Sequence, residues 1–566
     1  MHPYLLPLYG LLVLTTAWTL SSLFGLYQNY QKARQFGFPI IINAVNFQNP
    51  FVVFLGPRVL PSLSRIPFGI GSYFKHISVD WITDDRYKTH QRLGNAISII
   101  DPKWLRIFIT DASAIEDVMN RRKDFTKPRV FYQPVEILGP NVDTVEGATW
   151  QRHRKITTPP FNERNSALVW KESVRQAQQM LTFWLEQGKS ITGTSADTLT
   201  LALHVLTAAG FGQEYSFSSN LQAPPAGHQL SYRDALNDVL RGFLPLIICG
   251  PDSLSKWYMP KGVKAVGLAV KEFKQYMKEM VTRERQLIEK RDSSNHANLI
   301  SSLVRASEDG KSASQSLDDD EILGNLFIYN LAGHETTANT LAYVITLLSI
   351  NPDYQDWIYE EVTQVLQEAG SPETWQYEEV YPRLPRCLAT MLETVRLFMS
   401  VPSLMKIATD GPQPLTIDDK EYLLPEGTFV VNNFAASHTL PRYWGSDSLH
   451  WKPKRWIGTE DNITGMKGFG EIVKEAPVRG CYKPWGEGPR VCPGKKFAQV
   501  EFVAVLATLF KEWTVRPQSR PGETSQQTTE RVQAVLNDSR LEITLQMRNP
   551  TSVGMIWERR SERLQG

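Results

Sequence analysis

The loop at residues 484–494 holds the clearest potential for chemistry, because it combines one cysteine with an arginine and three glycines. Cys492 is followed by Pro493, Gly494 and a helix-forming run, so its sulfur is predicted to lie just before a helix N-terminus. The helix dipole and the free N–H groups at such a position favour a thiolate over a thiol. Glycine allows the backbone to turn tightly and to approach a flat partner closely. The loop therefore predicts a thiolate ligand.

A thiolate beside an aromatic residue, an arginine and a glycine-rich turn is suited to axial ligation of haem iron. Most isolated cysteines are instead small buried hydrophobic residues. The whole loop resembles the haem-ligand signature of the cytochrome P450 family. Its fixed positions hold Trp485, Gly488, Arg490, Cys492 and Gly494. The resemblance implies that Cys492 ligates the iron of haem b, with Trp485, Arg490 and Gly494 in contact with the cofactor.

A second motif, Ala-Gly-His-Glu-Thr-Thr at residues 332–337, lies in the middle of a long predicted helix. A capping-box pattern starts at Ser316 and no proline follows until Pro352, which predicts a helix of roughly 34 residues. Mid-helix threonines can bond backbone carbonyls and open the helix for a small ligand. His334 begins an HExxH zinc pattern, but Ala338 stands where the second histidine is needed, so the zinc hypothesis fails.

The same segment resembles the oxygen-binding motif of the family. The resemblance implies that Ala332 and Gly333 contact the cofactor, that Glu335 and Thr336 form an acid–alcohol pair that delivers protons to dioxygen, and that His334 has no catalytic role. From the residues alone, a helix whose two threonines bond their own backbone remains the alternative.

Two further segments carry cations that the resemblance assigns to the haem propionates. Trp150 and Arg154 are four residues apart and share one face of a predicted helix. Taken alone, they would also suit a surface cation beside a half-buried aromatic residue. Lys406 stands in a predicted strand where the family commonly has arginine. Lysine supplies a point charge instead of a fork, so this contact is less specific.

Glu393 and Arg396 lie three residues apart in an otherwise apolar predicted helix. A lone exposed pair of this kind contributes little to stability, and a buried pair needs further partners. The segment around Arg455 resembles the family segment that supplies this partner, although Trp451 and Lys454 differ from the usual residues. We therefore expect a structural triad of Glu393, Arg396 and Arg455 that holds the cysteine loop.

Composition and charge narrow the classes of function. The chain has 566 residues, 42% hydrophobic and 21% charged, which is typical of a large globular core. A formal net charge of +2 argues against a nucleic-acid partner. Four scattered cysteines do not form a disulfide framework.

The N-terminus predicts a membrane anchor. Residues 4–27 contain no charged side chain and would form a helix of about 36 Å, enough to cross a hydrocarbon core of about 30 Å. A cleaved signal peptide is the alternative, but the first positive charges, Lys32 and Arg34, follow the apolar run, which favours a cytosolic C-terminal side. We expect an anchor and hinge at residues 1–36 and a catalytic domain at residues 37–566.

Several local elements are also predicted. Alternating apolar residues predict strands at 96–100 and 104–109, and residues 111–119 predict a short helix. Residues 125–147, with three prolines and two glycines, form either a plain connection or a substrate lid, and the resemblance favours a lid. A loose loop is expected at 517–533. The segments 541–547 and 553–557 are expected to pair as a closing hairpin.

The expected fold is mainly α with small β-sheets: one cytochrome P450 domain behind a transmembrane helix in the endoplasmic reticulum membrane, with the catalytic domain cytosolic. The resemblance is to fungal enzymes of specialised metabolism. It implies insertion of one oxygen atom from O2 into a small lipophilic substrate. No flavin- or nicotinamide-binding glycine motif occurs, so electrons are expected from NADPH through a separate cytochrome P450 reductase, with cytochrome b5 as a second candidate donor.

Two other classes of function stay open. One is a haem-thiolate isomerase or dehydratase that works without a reductase. Such enzymes tend to alter the acid–alcohol pair, which is intact in this sequence. The other is a non-catalytic haem-binding membrane protein, which would need neither a substrate lid nor a proton relay.

Overall fold

The fold is described from a computed structural model of the chain. Described are residues 5–67, 69–188, 190–218, 224–290, 298–308, 316–370, 374–459, 467–468 and 471–560.

Helices dominate the described residues, as the sequence predicts. The longer ones are Leu5–Arg34, Pro50–Leu63, Ala112–Asn120, Gly147–Thr157, Glu163–Gln187, Thr194–Phe211, Tyr232–Arg241, Lys261–Glu289, Leu299–Glu308, Asp319–Ser349, Pro352–Ala369, Pro385–Leu397, Lys495–Phe510 and Ser525–Asn537. Shorter helices are Ser72–Lys75, Trp81–Asp85, Lys88–Leu93, Arg129–Tyr132, Phe243–Cys249, Tyr377–Val380, Phe434–Ser437 and Pro441–Trp444.

The strands form small sheets. A six-stranded sheet has the spatial order Ile40–Ile42, Ala96–Ile100, Leu105–Ile109, Phe429–Asn433, Ser403–Ala408 and Phe125–Thr126. The predicted strands at 96–100 and 104–109 are confirmed as an antiparallel pair that aligns Ala96 with Ile109. The other sheets are Ile457–Thr459 with Lys467–Gly468 and Glu471–Val473, then Trp513–Pro517 with Met555–Arg559, Ser539–Leu541 with Leu545–Met547, and Gln413–Ile417 with Lys420–Leu424.

The helix Asp319–Ser349, here called the central helix, has 31 residues and is buried along almost its whole length. Its N-cap is Asp318, whose side chain accepts from the backbone N–H of Glu321, while the Glu321 side chain accepts from the Asp318 N–H. The capping box therefore starts two residues after its predicted start at Ser316. Burial on all sides explains why the helix is apolar around its circumference.

Two local predictions in the C-terminal part are wrong. The expected loose loop contains the helix Ser525–Asn537, capped by a Thr524–Gln527 capping box. Its buried residues Thr528, Val532 and Leu536 recur every four positions, a helical spacing that its polar composition conceals. The predicted closing hairpin does not form, because Leu545–Met547 pairs with Ser539–Leu541 and Met555–Arg559 pairs with Trp513–Pro517.

The N-terminal helix Leu5–Arg34 contacts the rest of the domain at its C-terminal end. Ala33 is 0% exposed and Phe36 is 8% exposed within a buried cluster, and the Asn29 side chain donates to the Asp101 carbonyl. The expected anchor segment 1–36 therefore contributes side chains to the core.

Among the described residues, none of the helices combines the length and the apolar character that a membrane crossing demands. That finding does not support the transmembrane span predicted within residues 1–36.

Candidate active site

The cysteine loop is held in tight turns ahead of the helix Lys495–Phe510. Gly486 and Gly488 have φ values of 72° and 66°, a region that side chains rarely adopt. A Cβ on Gly488 would lie 2.6 Å from Asn120 Oδ1. The backbone N–H of Cys492 donates to the Trp485 carbonyl at 2.9 Å, which closes the loop.

The side chain of Cys492 has accessible surface, yet it is surrounded by protein atoms that desolvate the thiol and raise its pKa. The Gly494 N–H and Arg154 act to lower this pKa. Accessibility and burial together indicate that the sulfur faces an internal space. The Gly494 N–H at the helix terminus acts in the predicted direction, but desolvation of the thiol is the larger effect. A bound metal cation would reverse the balance, since coordination deprotonates a thiol.

The aromatic and basic residues predicted to meet the propionates surround this loop. The guanidinium of Arg490 lies 4.6 Å from the Trp150 ring centroid and pairs with Glu146 at 2.5 Å. Arg154 donates to the carbonyl of Val491, next to the cysteine, at 2.8 Å. These contacts place Trp150, Arg154 and Arg490 at one side of the loop.

Lys406 lies in the strand Ser403–Ala408 and is 2% exposed. Burial, with the neighbouring cations Lys127 and Arg490, lowers its pKa to about 7, against the opposing effect of Glu146. The phenol of Tyr132 donates to the carbonyl of Met405 beside it, at 3.4 Å. Lys127 pairs with Asp143 and Arg490 with Glu146, whereas Lys406 forms no ion pair with a described residue.

One face of the central helix opens opposite this region. Ala332 is exposed and Thr336 is half-buried, although the helix around them is buried. The Thr336 hydroxyl donates to the Ala332 carbonyl at 2.9 Å, and the Thr336 carbonyl accepts from the hydroxyls of Thr340 and Ser400. The helix stays continuous here, so the threonine bonds its own backbone without breaking the ladder.

Tyr329 connects this face to the cysteine loop. Its ring centroid is 5.6 Å from that of Phe161, and Phe161 borders Gly494. The nearby Cys492 thiol is one of the groups that raise the pKa of Tyr329, after burial. Because Tyr329, Ala332 and Thr336 are spaced by three and four residues, they share one helix face. The open face and the cysteine therefore border the same space.

Glu335 points elsewhere. Its side chain is buried, and its Oε2 has no hydrogen-bond partner among the described residues. Burial raises the pKa of Glu335 to about 7, although a hydrogen bond with the Thr544 hydroxyl acts to lower it. Consecutive helical residues point about 100° apart, and the structure shows no hydrogen bond between Glu335 and the Thr336 hydroxyl, which donates to Ala332. His334 is also buried, and its Nδ1 lies 2.6 Å from the Asn330 carbonyl.

Gly333, predicted to contact the cofactor, lies at a helix contact. A Cβ at this position would lie 2.9 Å from Leu206 Cδ2 of the helix Thr194–Phe211. The glycine therefore allows two helices to pack closely, while its neighbour Ala332 is the exposed residue of the motif.

The structure brings the expected triad together, with the side chains of Glu393 and Arg396 fully buried and that of Arg455 partly buried. Arg396 donates to both carboxylate oxygens of Glu393 at 2.8 Å, and Arg455 donates to Glu393 Oε1 at 2.9 Å. The Trp456 indole and the Lys452 N–H complete the carboxylate's partners. Every lone pair is engaged, which is the condition under which a buried ion pair is tolerated.

His438 connects this cluster to the cysteine loop. Its carbonyl accepts from Arg396 at 2.8 Å, and its Nε2 accepts from the backbone N–H of Lys483, which directly precedes the loop. The neighbouring Tyr482 hydroxyl donates to the Leu392 carbonyl at 2.8 Å. The triad therefore reaches the entrance of the loop through two adjacent residues.

Several residues at the site carry no local signal in the sequence. Ser400, Thr544 and Tyr132 lie 64, 205 and 273 residues from the residues they contact. Such contacts arise only when distant segments pack together.

Comparison with known proteins identifies the family. A sequence model described as Cytochrome P450 matches residues 66–545. The chain is 30% identical to a cytochrome P450 monooxygenase of Arthrobotrys oligospora, over 95% of this chain and 96% of that protein. It is 32% identical to one of Penicillium roqueforti, over 82% and 84%. It is 32% identical to the phomenoic acid biosynthesis cluster cytochrome P450 monooxygenase of Leptosphaeria maculans, over 74% of each chain.

The chain belongs to the cytochrome P450 monooxygenase family, an enzyme family whose cofactor is haem b. The residues present fit that cofactor. An accessible cysteine faces an internal space, and the buried Lys406, which forms no ion pair with a described residue and has Lys127 and Arg490 nearby, is suited to a propionate. Cys492 would hold the iron, and these cations with Trp150 and Arg154 would hold the carboxylate edge.

The buried Glu335 predicts a pH-dependent stability. Its pKa rises from 4.5 to about 7 on folding, so the folded state keeps a proton that the unfolded state loses between these values. The free energy of unfolding should therefore be greatest below pH 4.5, the ordinary pKa of this glutamate in the unfolded chain. It should fall by up to about 3 kcal/mol as the pH rises to about 7. Glu335→Gln should unfold at a higher urea concentration than the wild type at pH 8.

At pH 5 the two midpoints should differ much less, because wild-type Glu335 is then mostly protonated in the folded protein. Glu426→Gln, at an exposed glutamate that does not contribute to the raised pKa of Glu335, serves as the matched control and should show no such pH-dependent gain. A pH-independent difference between Glu335→Gln and wild type would contradict the assignment.

Proposed function

We propose that this enzyme inserts one oxygen atom of O2 into a carbon–hydrogen bond of a small lipophilic substrate, with the second oxygen leaving as water and two electrons coming from NADPH. The proposal rests on the space inferred between the accessible Cys492 and the open face of the central helix at Ala332 and Thr336, which Tyr329 and Phe161 connect. Such a space leaves room for dioxygen and for a substrate beside it.

Haem bound at Cys492 supplies the redox chemistry of oxygen activation. The chain's own part is to bind, to orient and to move protons. The Thr336 hydroxyl stands on the open face and can turn from the Ala332 carbonyl toward a ligand. Glu335 has a pKa of about 7, so it can take up and release protons near neutral pH, but no hydrogen bond joins it to the Thr336 hydroxyl, which donates to Ala332.

The proposed substrate is an intermediate of fungal specialised metabolism. Support comes from the fungal relatives, one of which is named for a phomenoic acid biosynthesis cluster. The apolar and aromatic residues that pack around the central helix, Phe161 and Tyr329 among them, favour a lipophilic molecule.

Electrons are proposed to come from a separate NADPH-dependent reductase, with cytochrome b5 as a second candidate. A surface groove of about 570 Å³ borders the outer side of the cysteine loop, with Trp485 and Val491 in its wall. Five of its residues are basic and two are acidic: Lys474, Arg479, Lys483, Lys495 and Lys496, against Glu475 and Glu487. Such a surface suits an acidic partner whose docking weakens with salt.

We also propose attachment to the endoplasmic reticulum membrane with the catalytic domain in the cytosol. Exposed apolar side chains support an association with lipid, including Trp18 on the first helix, Phe51 at 75% exposure and Trp257 at 87%. Fractionation of cells that express the full chain or a chain lacking residues 1–27 tests this. Equal recovery of both chains in the soluble fraction would contradict it.

Thr336→Ala decides between oxygen insertion and the other haem chemistries. The variant removes a hydroxyl on the open face and leaves Cys492 untouched, so proton delivery should fail while haem binding persists. With reductase and NADPH, product per NADPH consumed should fall about tenfold or more, with more hydrogen peroxide released. Thr340→Ala, whose hydroxyl bonds the Thr336 carbonyl within the helix, is the matched control.

The alternatives give different results in the same assay. A haem-thiolate isomerase or dehydratase would form product without NADPH or reductase, and a non-catalytic haem protein would form none under any condition. Equal coupling in wild type and Thr336→Ala would remove Thr336 from the mechanism.

A further inference from the structure

Arg86 has an unusual backbone and an unusual position. It follows the helix Trp81–Asp85 and has a φ of 53°, in the left-handed region that a side chain such as arginine rarely adopts. Its guanidinium carbon lies 5.5 Å from the ring centroid of Phe398. Such outliers persist where the surrounding structure imposes them, and they concentrate at functional sites.

This arginine forms no ion pair with the residues that the structure describes, although Asp84 lies near enough to act on its charge. By contrast, Arg386 pairs with Glu471 and Arg396 with Glu393. The charged and titratable groups that face Arg86 are Arg396, Tyr343 and Asp84. Burial, followed by the like charge of Arg396, lowers the pKa of Arg86. A partly buried guanidinium beside a second cation favours the arrival of an anion.

Phe398 links Arg86 to the central helix. Its ring is stacked on Tyr343, with centroids 4.6 Å apart and planes 18° apart. Tyr343 follows Thr336 by seven residues, two helical turns, so both residues lie on one face, separated by roughly 10 Å along the axis. Arg86 therefore lies beyond the far end of the face that opens at Thr336.

A third element, the hairpin of Ser539–Leu541 and Leu545–Met547, packs beside Tyr343 and the Arg86 segment. The Tyr343 and Ser539 hydroxyls are 2.7 Å apart, and Leu541 in the same hairpin donates its N–H to Asp80, just before the Arg86 helix. The hairpin thus contacts both the central helix and the segment that carries Arg86. The three elements therefore meet around the stacked rings of Phe398 and Tyr343 and a cation that forms no ion pair with a described residue.

We propose that Arg86 binds a carboxylate group of the substrate, so that the enzyme oxidises an amphiphilic organic acid at a carbon remote from its carboxylate. The guanidinium fork matches the two oxygens of a carboxylate, and the rings of Phe398 and Tyr343 suit the adjoining hydrocarbon. A single cation fits a singly charged acid. The inference rests on the oxygen-insertion function proposed above.

The test measures equilibrium binding to the haem-loaded full chain, without reductant. The probes are straight-chain fatty acids from octanoic to hexadecanoic acid, each compared with the primary alcohol of equal length. At least one acid should bind about tenfold more tightly than its alcohol, as expected for a charge-assisted hydrogen-bonded pair. In Arg86→Gln the preference should disappear, whereas Arg92→Gln, at an exposed arginine of the next helix, should keep it.

Arg86→Lys provides a second variant that keeps the charge but loses the fork. It should bind the acid several-fold more weakly than the wild type and bind the alcohol equally well. An equal loss for acid and alcohol would mean that the residue only supports the fold. That result, a wild type without acid preference, or an unchanged preference in Arg86→Gln would overturn the proposal.

Failure of the proposed oxygen insertion would look different. Acid binding that depends on Arg86, with no product formed from NADPH and O2, would uphold the carboxylate site and reject the monooxygenase reaction.

Discussion

Cys492→Ser should abolish the red-shifted Soret band that thiolate-ligated haem shows in the reduced, carbon-monoxide-bound state, and with it the oxidation activity. A serine hydroxyl is far less acidic than a thiol and is a harder ligand, so it cannot replace the thiolate on iron. The loss should be essentially complete, because the described cysteines Cys249, Cys387 and Cys481 lie outside the loop.

The measurement is the absorption spectrum of purified protein after reduction and addition of carbon monoxide. Cys249→Ser, at a half-buried position at the end of the helix Phe243–Cys249, is the matched control and should keep the band. A Cys492→Ser protein that retains the band would assign the ligand to another residue.

Arg396→Met should destabilise the protein by about 3–5 kcal/mol, the range found when one partner of a buried ion pair is removed. The variant leaves the Glu393 carboxylate with fewer partners at 0% side-chain exposure. It also removes the donor to the carbonyls of His438 and Ser448. Because His438 holds the N–H of Lys483, we also expect loss of haem from the cysteine loop.

Urea unfolding and the haem-to-protein ratio measure the two effects. Arg516→Met is the matched control, because Arg516 pairs with Glu558 at 2.6 Å on the exposed surface, where such pairs contribute about 0–1 kcal/mol. If Arg396→Met costs no more than this control, the triad is not a structural support of the loop.

Local signals in the sequence were sufficient for several parts of the fold. The central helix follows from its acidic capping residues and from the absence of proline before Pro352, and its observed end at Ser349 agrees. The strands at residues 96–109 follow from alternation. Local signals did not predict which strands pair. The strand Leu545–Met547 pairs with the preceding strand and not with the following one, because packing of the whole domain determines strand partners.

The sequence by itself determined the chemistry of this protein, since the types and spacing of Trp485, Arg490 and Cys492 and the motif at residues 332–337 are local properties of the chain. The tertiary structure alone decided the environment of these groups. Glu335 lies beside Thr544, Lys406 among other cations, and Arg86 over Phe398, at separations of up to hundreds of residues. Burial at those contacts shifts the pKa of each group and decides whether its charge has a partner. Such burial arises only when distant segments pack together.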